Sequence, residues 1–170
     1  MIDWYKKVVF ENYANFNGRA RRSEYWYYTL ASIIISIILT VLDSALGLKI
    51  GSSDSGILSS IYSLAVIVPG LAVATRRIHD IGKSGWIIVI VYAIMIAAAV
   101  VLVVGSLGAI AGQASFGLAM ILPILVIFAV AIYMLVLFCT EGDNGQNEYG
   151  PDPKAEGGQE INEIGVEQVS

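Results

Sequence analysis

Trp86 to Val104 reads WIIVIVYAIMIAAAVVLVV and contains no charge. A helix needs about 20 mainly apolar residues to cross the hydrocarbon core of a bilayer. Three further stretches meet that condition. About Tyr25 to Leu46 has SIIISIILTVL at its heart, about Ile57 to Thr75 reads ILSSIYSLAVIVPGLAVAT, and about Leu118 to Phe138 reads LAMILPILVIFAVAIYMLVLF. None alternates with the period of two that a membrane β-strand requires. Charged residues make up 14% of the chain, against about 25% in an ordinary soluble domain. The expected fold class is an all-α membrane protein with four transmembrane helices in a single domain over residues 1–153.

Charge is distributed unevenly along this chain. Eight of the fourteen acids follow the last apolar run, whereas the first 24 residues carry Lys6, Lys7, Arg19, Arg21 and Arg22. Lys and Arg are retained on the cytoplasmic side of a membrane. The N-terminal segment has five, the connection after the second span has Arg76, Arg77 and Lys83, and the C-terminal tail has Lys154. The opposite connections hold only Lys49. Nine against one predicts both termini in the cytoplasm, with Thr75 to Trp86 as a short cytoplasmic turn. No signal peptide is expected, because residues 1–24 contain no apolar run.

The flanking segments have their own character. Residues 3–16 place Trp4, Tyr5, Val8, Val9, Tyr13 and Phe16 roughly on one helical face, which predicts a short N-terminal amphipathic helix. Such a helix can lie flat in the headgroup region or pack on the cytoplasmic ends of the bundle. GSSDSG (51–56) reads as a polar turn, and GSLGAIAGQASFG (105–117) as an uncharged segment of small residues. Gly108 and Gly112 form a GxxxG pair of the kind that lets helices approach closely. From Lys154 to Ser170 the chain is acidic with few large apolar residues, so a disordered tail is expected.

Polar chemistry concentrates in TRRIHDIGKSGW (75–86), which holds the only histidine. GKSG within it is no P-loop, since that motif needs a glycine five positions before Gly82, where Arg77 stands. It also has the GxSG form found around an intramembrane protease serine. That chemistry needs a histidine base from another helix, and His79 lies in the same turn as Ser84. His79 and Asp80 are adjacent, so their side chains diverge on a helix instead of facing each other. One histidine and one cysteine, Cys139, make a poor transition-metal site and exclude an intramolecular disulfide. No catalytic residue, metal or cofactor is therefore expected.

Arg76 and Arg77 suit the C-terminal end of the second helix and the anionic headgroups beside it. A second cluster, FNGRARRSEYWYY (16–28), precedes the first span. There Asn17-Gly18 signals a turn, Ser23 is the expected N-cap, and Tyr25 to Tyr28 form an aromatic belt. CTEGDNGQNEYGPDP (139–153) is a string of turn residues. All three segments belong on the cytoplasmic face, where Glu24 or Asp80 can pair with an arginine of a neighbouring segment. The expected platform or lipid-contact residues are Arg19, Arg21, Arg22, Glu24, Arg76, Arg77, His79, Asp80, Lys83 and Trp86.

Those three blocks, in this order and spacing, resemble the signature of the YhaH-like family of bacterial inner-membrane proteins, catalogued as domain of unknown function 805. The resemblance covers about residues 1–153. It implies a multi-pass protein of the bacterial inner membrane and transfers no catalytic residue.

Within the spans, polar residues are few. Asp43 lies about 27 Å along the first helix at 1.5 Å per residue, close to the outer interface. Pro69-Gly70 and Pro123 can bend helices and free carbonyls, Pro69 freeing that of Ala65. The functional expectation is a non-catalytic protein whose cytoplasmic face binds anionic lipid or a protein partner of unknown identity. The alternative is a small oligomeric transporter or channel. A homo-oligomer stays open, and no nucleic-acid partner is expected.

Overall fold

The computed structural model describes residues 2–50, 56–110 and 120–154. Among them the secondary structure is helical, with only the isolated bridges Lys49–Gly56 and Asn147–Gly150 in place of strands. Helix α1 spans Ile2–Lys6 and runs into a π-helical turn, Lys7–Glu11. The long helices are α2 (Arg22–Leu46), α3 (Ile57–Asp80), α4 (Trp86–Ile110) and α5 (Ile121–Cys139). All four are long and apolar enough to cross a membrane. Two compact units result, one from residues up to Gly82 together with those from Glu141, the other from Lys83 to Thr140.

Three boundaries differ from the sequence expectation. Helix α2 begins at Arg22, with extended Arg21 at the N-cap and no side-chain cap, so Ser23 does not cap it. Tertiary bonds turn the chain there: the Ala20 amide donates to the Arg76 carbonyl at 3.0 Å, and Arg21 donates to the Pro153 carbonyl at 2.6 Å. Helix α3 continues past Thr75 to Asp80. An apolar span ends at its first charge, but a helix ends only where the backbone breaks. Here that place is Gly82, in the left-handed region at φ +67°, whose amide returns to the His79 carbonyl at 3.0 Å. Arg76 to Asp80 are therefore helical residues, not turn residues. Helix α4 extends beyond Val104 to Ile110 and takes in Gly108. Gly112, its GxxxG partner, lies outside the described residues, as do most of GSSDSG and the tail beyond Lys154.

Helices α2 and α3 form a hairpin locked at its tip. Gly47 ends α2 at φ +66° and donates to the Asp43 carbonyl. Gly56 stands at the N-cap of α3 and has no side chain to serve the free amides of the first turn. Asp43 supplies that service from the neighbouring helix: its carboxylate accepts from the Leu58 amide at 3.0 Å, the Ser59 amide at 2.9 Å and the Ser59 hydroxyl at 2.8 Å. A negative group at a helix N-terminus also opposes the helix dipole favourably. The depth read from the sequence places Asp43 at this end of the helix, but it is buried at 3% exposure and fully engaged. A Cβ on Gly56 would lie 2.0 Å from the Asp43 carboxylate, so only glycine fits there.

The core of the first unit gathers Val8, Ala20, Tyr28 and Val73, with Tyr5, Val9 and Tyr25 packed against it. The N-terminal segment thus packs on the hairpin, while Ile2, Phe10, Tyr13 and Phe16 stay exposed. Hydroxyls anchor it: Tyr5 meets Tyr62 at 3.1 Å, and Tyr13 donates to the Ala65 carbonyl at 2.7 Å. Tyr5 also stacks on Tyr28, whose hydroxyl donates to the Val66 carbonyl at 3.0 Å. In the second unit, α4 and α5 border an apolar groove of about 270 Å³, with Ala97 and Ala98 of α4 and Pro123 of α5 in its lining.

Candidate functional site

Three segments that are distant in the sequence converge at the end of the hairpin where α2 begins and α3 stops. Asp80 is the point they share. Its carboxylate receives the Arg19 Nε at 3.0 Å and pairs with Arg77, one turn back on its own helix. Its backbone carbonyl accepts from the Asp143 amide at 2.8 Å. One residue of α3 is thereby tied to the N-terminal segment and to the loop that follows α5.

Arg19 makes the complementary connection. Beyond Asp80, its guanidinium donates to the backbone carbonyls of Asp143 and Gly145. Its side chain is 1% exposed and that of Arg77 is fully buried. Buried charges of this kind are tolerable only when paired and hydrogen-bonded. Two glycines make the approach possible. A Cβ on Gly142 would lie 2.1 Å from the Asp80 carboxylate, and one on Gly82 would lie 2.6 Å from that of Asp143.

His79 performs the same bridging from the next position of the helix. Its Nδ1 lies 3.2 Å from the Gly18 carbonyl, which can only accept, so the proton sits on Nδ1. Its ring stacks flat on Tyr149 at 3.9 Å between centroids. Its carbonyl accepts from the Asn147 side-chain amide at 3.0 Å. Adjacent side chains do diverge here, and each reaches a different pair of partners.

A second ion group lies at the start of α2. Glu24, 2% exposed, accepts from the Arg76 Nη1 at 2.7 Å, and its other oxygen lies 3.7 Å from the Lys7 ammonium. The Nε and Nη2 of Arg76 are buried and have no hydrogen-bond partner among the described residues. An unmet buried donor costs about 1–3 kcal/mol, more when charged.

On the exposed side, Glu141 lies 3.1 Å from Lys154 and 3.2 Å from Arg22. The Lys154 hydrogen bond and charge, then the Arg22 charge, hold the Glu141 carboxyl below its ordinary value. Asp152 is also held low, first by the Lys154 amide at 2.8 Å and then by the Gly145 amide at 3.2 Å, with the charges of Arg19 and Lys154 adding to them.

Of the residues singled out from the sequence, Arg19, Arg21, Arg22, Glu24, Arg76, Arg77, His79 and Asp80 therefore meet within one unit. Arg19, Arg76 and Arg77 are buried, Arg19 and Arg77 against Asp80 and Arg76 against Glu24. The counter-charge that removes them from the surface comes from Glu24 and Asp80. Lys83 and Trp86 belong to the second unit, and both are exposed. Sequence reasoning missed Lys7, Asp143, Asn147 and Tyr149 as individual residues. The Gly, Asn and Asp string around the last three signalled a turn, without saying which side chains face inward. Among the described residues, no three His, Cys, Asp or Glu side chains come together to hold a metal ion.

The family described as Protein of unknown function (DUF805) matches residues 13–151 of the chain. The chain is 34% identical over 155 residues to "Inner membrane protein YhaH" of Escherichia coli, covering 91% of this chain and 99% of that protein. It is 36% identical over 153 residues to "Inner membrane protein YhaI" of the same organism, covering 90% and 97%. No solved structure matches the chain. The region that the family matches contains Arg19, Glu24, Arg76 to Asp80 and the 141–150 loop, and it begins after Lys7.

Proposed function

From the premise that the chain belongs to the DUF805 family of bacterial inner-membrane proteins, we propose a non-catalytic protein whose cytoplasmic face engages anionic lipid or a protein partner. It is a multi-pass protein of the bacterial inner membrane. The observation that carries the reading is the Arg19–Asp80 pair and its loop carbonyls, which hold three segments in one arrangement at a single end of the hairpin. A preformed face keeps the ordering cost of binding low. The orientation proposed is both termini in the cytoplasm. Its support is the bias of nine Lys and Arg against one, together with the meeting of both terminal segments at the same end of α3. Asp43, which a transport reading would use within the membrane, is occupied in capping α3.

Retention of lipid by the purified protein tests this reading. The full chain, extracted in a neutral detergent and studied by native mass spectrometry, should keep anionic phospholipid in preference to zwitterionic phospholipid. Arg19→Gln, which unties the face, should lose that preference. Equal retention of both lipid classes, with no partner bound in a cross-linking experiment in intact cells, would remove the proposal.

A further inference from the structure

The seam between the N-terminal segment (α1 and its π-helical turn) and the hairpin has a charged end and an apolar end. At the charged end, Lys7 and Arg76 share the single carboxylate of Glu24, at 3.7 Å and 2.7 Å. Two cations against one anion leave an excess positive charge. Arg76 uses only Nη1 for Glu24, so its Nε–Nη2 edge is unpaired among the described residues although it is buried. That edge is the planar fork which binds carboxylate or phosphate through two parallel hydrogen bonds. The Lys7 side chain is 44% exposed and keeps the group in touch with the surroundings. Lys7 also opens the π-helical turn, a distortion that is frequent at functional sites.

At the apolar end lies a groove of about 250 Å³ lined by Ile2, Tyr5, Ala31, Ile34 and Ile35. Along α2, Glu24 precedes Ala31 by about 10 Å at 1.5 Å per residue. A phosphate held near Lys7 would thus stand about one headgroup length from the apolar groove, which lies toward the middle of α2. We infer that this seam is a binding site for one anionic phospholipid, with its phosphate on the accessible Lys7 ammonium, backed by the buried Arg76 charge, and the start of an acyl chain in the groove. The assignment rests on the proposal that the face engages anionic lipid, and it names the site and the ligand. Charge complementarity selects a lipid over an apolar helix, and the groove selects a lipid over free phosphate.

The test titrates phosphatidylglycerol onto delipidated full-length protein, read by native mass spectrometry, with inorganic phosphate as a second probe. Lys7→Gln should weaken lipid binding about tenfold, as expected for the loss of one charge-assisted hydrogen bond. Ile34→Trp, which fills the groove at its exposed rim, should weaken it as well. Lys6→Gln removes the same charge from the neighbouring position and should leave binding within about twofold, a change too small to count as loss of a bond. Wild-type binding that ignores both Lys7→Gln and Ile34→Trp would overturn this site and leave the broader reading intact. Equal loss in Lys6→Gln and Lys7→Gln would also overturn it, since that marks a diffuse charge effect. Inorganic phosphate binding that depends on Lys7, without phosphatidylglycerol binding that does, would overturn the lipid assignment. Failure of the wild type to bind any anionic lipid would remove the lipid form of the proposed function along with the site.

Discussion

The Tyr13 hydroxyl donates at 2.7 Å to the carbonyl of Ala65, the group that Pro69 deprives of its helical partner four residues on. The N-terminal segment thus repairs a defect in a helix 52 residues away in the sequence. Tyr13→Phe should lower stability by about 1 kcal/mol, the net worth of a typical hydrogen bond. In a Pro69→Ala background the amide returns to α3, and the same substitution should cost distinctly less. Thermal unfolding of the four proteins in one detergent gives the cycle. Full additivity would mean that the two residues are not coupled.

Asp80 balances two buried arginines, so its removal takes the same counter-charge from both. Asp80→Ala should lower stability by about 3–5 kcal/mol, the usual result of breaking a buried ion pair from one side. Membrane abundance should fall with it. Reversal of the partner's charge in Arg77→Glu should do at least as much damage, measured as folded yield after detergent extraction. Wild-type yield in either variant would contradict the described burial.

Gly142 exists to let Asp80 approach. Gly142→Ala would drive a methyl into the Asp80 carboxylate, at a cost of about 1–3 kcal/mol typical of overpacking. The loop from 141 to 154 should then become sensitive to limited proteolysis while the hairpin stays protected. Gly145→Ala puts no atom in contact but must hold φ +76°, so its effect should come from backbone strain alone and be smaller.

Asp43 and Gly56 should show a reversal of sign. Asp43→Ala removes the cap of α3, at about 0.5–2 kcal/mol. Gly56→Ser in the wild type would clash with Asp43 and should destabilise. With Asp43 gone the serine can cap its own helix, so Gly56→Ser should stabilise the Asp43→Ala protein. Differential unfolding temperatures of the two singles and the double decide it.

Acid should loosen the loop before the hairpin. The carboxyls of Asp152 and Glu141 are held below their ordinary values by the Lys154 contacts and their neighbours. Groups lowered in the folded state contribute stability above their unfolded pKa, about 4, and lose it as pH falls through the lowered folded value. Hydrogen exchange of residues 143–153 should be constant from about pH 5 upward, after correction for intrinsic rates, and rise relative to the hairpin below about pH 4. Asp152→Asn should flatten most of that difference.

The four spans were legible because a bilayer imposes length and apolarity directly on sequence. The ends of the helices were not, for a specific reason. Arg76 to Asp80 read as loop because charge usually marks the membrane surface, whereas Glu24 and Arg19 neutralise them within the fold. A partnership between residues 52 or 61 positions apart leaves no local trace. Pairing of Glu24 or Asp80 with an arginine of another segment could be anticipated from the convergence of the blocks on one face. The choice of Arg76 for Glu24 and Arg19 for Asp80 could not. Ala65 as the orphan of Pro69 followed from helix geometry, but Tyr13 as its donor needed the packing of the N-terminal segment. His79 had no account in the sequence, and its contacts to Gly18 and Tyr149 supply one.

The acceptors for Arg19 come after α5 in the chain, at Asp143 and Gly145. A ribosome delivers the chain from its N-terminus, and domains generally fold as their parts emerge. Arg19, Asp80 and Arg77 are thus made early and stay incompletely enclosed until the last helix has been inserted and the loop behind it has been released. Closure of this end of the hairpin therefore waits on the loop that follows α5. A chain cut before residue 143 would lack the loop carbonyls to which Arg19 donates and would leave its pairing with Asp80 open on that side.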